Sequence, residues 1–197
     1  MNDSRTFFQL EHADGFYNNV QTVQNNYYGD GVKGVTRMNA YFQQLLEEIE
    51  KGIRSDVFDD LKFYRTKLAG TKDVEEKLAD GGFRPTKIKE AQRLKEMYAK
   101  LALQYDCYPS AQKIFHSLFA RIKHEFDTSI FPLIEEQQPL NTVMEQIRNK
   151  IVVPIRDMLE NNGEYDKYMG LNEDHIYGMI YYMTGMCHLN WKDYDNL

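Results

Sequence analysis

The run from Pro109 to Ile130, PSAQKIFHSLFARIKHEFDTSI, decides the fold. Ala111, Ile114, Phe115, Leu118, Phe119, Ile122, Phe126 and Ile130 recur at steps of three and four residues, so they share one face of a helix. Pro109 suits a first helical turn, where its missing N–H is not needed. Pro132, just past the run, must bend or end it.

The pattern extends in both directions. Upstream, Ile88, Ala91, Leu94, Met97, Tyr98, Leu101 and Tyr105 form a second helical face that opens at Pro85 and stops before Cys107-Tyr108-Pro109. Before that, a short helix over 73–80 meets Gly81-Gly82, a stop signal. Met38, Phe42, Leu45, Leu46, Ile49 and Ile53 predict a helix from Thr36, with Gly52 either breaking or bending it. Ser55 or Asp56 is expected to cap a further segment carrying Val57, Leu61, Tyr64 and Leu68, which Gly70 ends. Downstream, Asn141 is a candidate cap for a helix bearing Val143, Met144, Ile147, Ile151, Ile155 and Met158, kinked at Pro154 and closed by Asn161-Asn162-Gly163. Asn172 predicts the start of a last helix, with Ile176, Met179, Ile180, Met183 and Cys187 at helical spacing. No alternating strand pattern and no repeat of 20 to 50 residues follows residue 36. The expected fold is all-α, a bundle of about six or seven helices over residues 36–197. Residues 1–35, rich in Asn, Gly and Tyr, read as a flexible or partly extended arm or linker.

Composition narrows the function. The 197 residues are 42% hydrophobic and 27% charged, ordinary for one globular domain. The net charge of −6 argues against a whole-protein affinity for nucleic acid or anionic membrane. Two cysteines, Cys107 and Cys187, without a CxxC motif or a secretory leader, point to a reducing cytoplasm. No window is long and apolar enough to span a bilayer.

Catalytic signatures are missing: no phosphate loop, no GxGxxG, no GxSxG and no His-Glu-x-x-His. His116 and His124 lie eight residues apart, about 12 Å along a helix axis, too far to share a metal without further ligands. With Glu125 they outline a remote alternative, a small metal-dependent hydrolase. Cys187 and His188 are adjacent, so their side chains diverge by about 100° on a helix and make a poor nucleophile pair. No catalytic residue, metal site or cofactor is therefore assigned. One basic cluster, Arg84 to Lys100, raises a second alternative: a nucleic-acid sensor or acidic-partner face built on Lys89, Arg93 and Lys100. It lacks interleaved aromatics to stack bases.

Tyrosine is abundant, 14 of 197, and collects near the C-terminus beside the single tryptophan, Trp191. Tyr177, Tyr181, Tyr182, His188 and Trp191 read either as a partner-binding surface or as the filling of a thick bundle core.

Five blocks carry a family resemblance. They are Lys62–Leu68, Glu75–Phe83, Ala91–Leu101, Tyr108–Phe115 and Tyr177–Trp191, the last containing Gly178-Met-Ile-Tyr and Thr184-Gly-Met-Cys-His-Leu-Asn-Trp191. In this order, across residues 36–192, the chain resembles the C-terminal domains of ABC-three-component conflict systems of prokaryotes. Such systems combine an effector, a small middle component and an ABC-type ATPase. The resemblance implies a non-catalytic helical interaction domain in anti-phage defence. Its expected partners are the effector or the ATPase subunit, and a homo-oligomer is expected too. In the family an effector domain usually precedes such a domain. The 35 residues before the helices are too few for one, so a scaffolding role is expected without the toxic activity.

Overall fold

The computed structural model describes residues 36–70 and 72–193. The arm expected over 1–35 lies outside the described residues, as does Tyr194. Among the described residues there are seven helical runs and no strand. They are α1 (Arg37–Lys51), α2 (Asp59–Arg65), α3 (Val74–Asp80), α4 (Pro85–Tyr105), α5 (109–135), α6 (140–162) and α7 (Glu173–Gly185). The all-α bundle expected from the periodicity is what the chain forms.

Helix ends follow local chemistry. Thr36 caps α1, its hydroxyl accepting from the Asn39 N–H. Asp73 and Glu76 form a reciprocal capping box on α3, and Asn172 with His175 does the same on α7. Pro85 and Pro109 occupy the first turns of α4 and α5. The face read from 109–130 is buried at every one of its eight apolar positions.

Four local expectations are corrected. Ile53, expected on the apolar face of the first helix, lies outside it and is 47% exposed, because Gly52 takes a left-handed conformation (φ 65°) and ends α1, one of the two outcomes left open by the sequence. The segment after it has no regular structure until α2, which begins after Phe58 rather than Ser55 or Asp56 and stops at Arg65. The buried amide of Gln112 explains the delay: its Oε1 accepts the Phe58 N–H at 3.1 Å, and its Nε2 donates to the carbonyls of Asp56 and Asp106. Asn141 does not cap α6. The cap position falls two residues earlier, at Pro139, whose carbonyl takes the first bonds from Thr142 and Val143. Cys187 is beyond α7, at φ 64°, where the His188 N–H turns back to the Met183 carbonyl.

The two interior prolines share one solution. A π-helical turn, Phe126–Ile130, precedes Pro132, and another, Arg148–Val152, precedes Pro154. A proline cannot donate to the carbonyl four residues back, and its ring crowds that carbonyl. A turn widened by one residue absorbs both problems, so α5 and α6 continue through their prolines.

The most extensive helix pairing is α4 with α7. Gly178 makes it possible: a Cβ there would lie 2.4 Å from the Leu94 carbonyl oxygen and 2.8 Å from Tyr98 Cβ. Helix α3 packs on both α4 and α7, while α1 and α2 lie on α5. The carboxylate of Glu48 on α1 accepts from the Ser110 N–H at 2.9 Å and its hydroxyl at 2.6 Å, so it caps the positive end of α5 across the interface.

Because the clash at Gly178 is with backbone, Gly178→Ala should lower the unfolding free energy by about 2–3 kcal/mol in urea titration. Gly185→Ala, whose nearest neighbours would sit at 3.6 Å, should stay within about 0.5 kcal/mol of the parent.

Candidate functional site

The C-terminal aromatic block divides between interior and surface. Tyr181, His188 and Trp191 are buried in the monomer; Tyr177 and Tyr182 are half-buried. Trp191 is the centre of the inner set. Its Nε1–H donates to Thr184 Oγ1 at 2.9 Å, and that hydroxyl donates onward to the Ile180 carbonyl. Phe83 meets its ring edge-on at 4.8 Å, Phe126 at 5.7 Å, and Tyr181 stacks at 6.4 Å. Gly81 completes the fit, since a Cβ there would stand 2.7 Å from Trp191 Cβ. The chain after α7 is thus pinned back onto the bundle by the one tryptophan.

Tyr98 anchors a second aromatic group. Its ring is edge-on to Phe115, Phe119 and Tyr182. Burial pushes its hydroxyl far above the ordinary phenol range, and the neighbouring Arg65 only partly offsets this. Arg65 itself pairs with Asp106 at 3.1 Å. Tyr177 stacks on Tyr181 at 6.4 Å, and burial raises its pKa against the pull of Arg148.

His188 sits beside Phe63, at 4.9 Å, and Tyr64, at 5.6 Å. Both ring nitrogens are buried without a hydrogen-bond partner among the described residues. Burial holds its pKa below the usual imidazole value; the nearby backbone of Phe63 and Thr66 opposes this without reaching bonding geometry, and Lys123 and Lys77 reinforce it.

The remaining candidates are dispersed. His116 packs against Phe58 at 5.5 Å and Tyr64 at 5.8 Å, whereas His124 is exposed. Glu125 is approached by the Ser129 hydroxyl. Among the described residues no three His, Cys, Asp or Glu side chains converge as a metal site. Lys89, Arg93 and Lys100 are all exposed, and their spacing puts them on one side of α4. Arg93 is engaged there by both oxygens of Glu90, at 2.7 and 3.0 Å, and by Asp174 at 3.7 Å. No described helix is long and apolar enough to cross a membrane.

Sequence reasoning missed two features. One is Gln112, a polar residue on the apolar helix that joins three chain segments. The other is an open groove beside Trp191, formed by turns distant in sequence. Only the glycine pair 81–82 and the prolines 132 and 139 hinted at turns there.

The family model for C-terminal domain 9 of the ABC-three component (ABC-3C) systems matches residues 73–191. The chain belongs to this family. No curated protein and no solved structure matches it. The matched segment of this ABC-3C domain begins at the cap of α3 and ends on Trp191, the residue that pins the C-terminal segment. Helices α1 and α2 precede it, yet their Phe42, Leu45 and Leu61 are fully inside the common core. The folded unit is therefore larger than the matched segment.

The buried imidazole sets a pH dependence. The unfolded chain takes up a proton near pH 6.5, where folded His188 resists it. Stability should be full above that pH and fall as the pH drops through it toward the lowered folded value. His175, lowered by burial in the same sense, adds to the slope. Urea midpoints at pH 7.5 and 5.5 should differ accordingly, and His188→Phe should flatten the difference without abolishing it.

Proposed function

We propose that this chain is a non-catalytic assembly domain of an ABC-three-component system acting in anti-phage defence. It docks to the effector or to the ABC-type ATPase, and it self-associates. The family match over residues 73–191 carries the reading, because these systems have several components and the domain belongs to them. The disposition of the ionisable groups supports it. His116 and His188 are spent on aromatic packing, and Arg65 on an ion pair with Asp106. Apolar side chains are meanwhile left at the surface, with Phe63 52% and Leu103 76% exposed. Single exposed residues are ordinary, but a large exposed ring such as Phe63 is also the kind of side chain that anchors interfaces.

The test is co-expression of the full chain with the ATPase, middle component and effector of its own system, followed by size-exclusion chromatography with light scattering. Co-elution with at least one component, at a mass above the monomer, is the expected outcome. A monomer that retains none of them overturns the reading.

A further inference from the structure

The groove beside Trp191 runs between two turns, residues 80–84 and 135–141. It consists of two hollows, of about 570 and 470 Å³, which share Leu140. Ile134, Leu140, Val143 and the edge of Trp191 supply an apolar floor in the larger one. Its charged rim is mainly acidic: Asp80, itself ion-paired with Lys72, then Glu135 and Asp193, against Lys192. The smaller hollow carries only cationic charge, Arg84 and Lys87. The two hollows therefore differ in the sign of their predominant charge.

Its walls also offer side-chain amides. Gln137 and Gln138 line the larger hollow and Asn141 the smaller. Each amide can both donate to and accept from a peptide backbone. Gln137 is held at φ 56°, a left-handed conformation unusual for a residue with a Cβ. The turn is thereby folded back, with the Gln138 N–H bonded to the Leu133 carbonyl and the Gln137 N–H to that of Ile134. Two open hollows that share Leu140, with apolar and amide side chains in their linings and opposite charge in each, match an extended chain better than a compact cofactor, which favours an enclosing cavity.

We propose that this groove receives an extended peptide segment of a partner protein, with an apolar side chain seated by Leu140 and Trp191, a Lys or Arg beside Glu135, and an Asp or Glu beside Arg84 and Lys87. The proposal rests on the assembly reading and specifies its docking surface. The opposed charges give the segment a direction, because a reversed segment would place like charges together at both ends.

The experiment uses the full chain and whichever component co-purifies with it. Glu135→Lys and the pair Arg84→Glu with Lys87→Glu are compared with Lys100→Glu on α4, all checked for parental melting. Each groove variant should weaken the complex at least tenfold, and Lys100→Glu should leave it unchanged. A photo-reactive phenylalanine analogue at Gln138 should cross-link to a partner segment in which an apolar residue lies between a basic and an acidic one. Unchanged affinity in the groove variants overturns the proposal while leaving the assembly reading standing. So does a cross-link confined to this chain's own ends. Failure of every component to bind removes both.

Discussion

The close approach of α7 to α4 is the constraint on which the rest depends. Gly178 lets the two backbones meet, and Tyr98 on α4 then reaches both α5 and α7 through its ring contacts with Phe115, Phe119 and Tyr182. With α7 seated, the chain beyond it turns back at Cys187 and lays Trp191 into a slot between Phe83 and Phe126. A larger residue at 178 would push α7 outward and open that slot. A dense aromatic interior transmits such a shift because it has little free volume to absorb it.

Polar groups in and around this core act as joints between elements. Gln112 ties the strap before α2 to the turn before α5. Glu48 caps α5 from α1. Asp166 accepts the N–H groups of Met169, Gly170 and Leu171 and so shapes the entry to α7. Arg156 holds Glu173 in the first turn of α7 at 2.7 Å. Lys77, almost wholly buried, donates to Asn190 on the terminal segment. Gln112, Glu48 and Asp166 also take up backbone groups that would otherwise lack these partners, where an unmade bond costs more than a made one returns.

This division of labour bears on function. The aromatic-rich C-terminus that looks in sequence like a docking face is largely used to close the domain. Tyr181, His188 and Trp191 stabilise the fold, and only Tyr177 and Tyr182 keep part of their surface in solvent. The surface features that remain are ones that no local pattern marks: the groove between the 80–84 and 135–141 turns, and scattered exposed apolar residues such as Phe63. A basic stripe on α4 survives as an exposed side, but its central Arg93 is committed to Glu90 and Asp174. A domain built this way can be stable as a single body and still offer a shaped surface.

Helical periodicity alone determined the fold class, a count of about six or seven helices and nearly every core position on α4 and α5, because a face repeating at 3.6 residues has one way to be buried. The cap at Asn172 and the proline starts of α4 and α5 were equally local, and so equally legible. What only the tertiary structure decided were outcomes of long-range contact. These include the late start of α2 under Gln112, the stop of α7 before Cys187, the inward turn of Tyr181 and Trp191, and the assembly of a groove from turns more than fifty residues apart. A tyrosine carries the same ring and hydroxyl whether it faces a neighbour or solvent. Its side is chosen by the element that packs against it, and that information is spread over the whole chain.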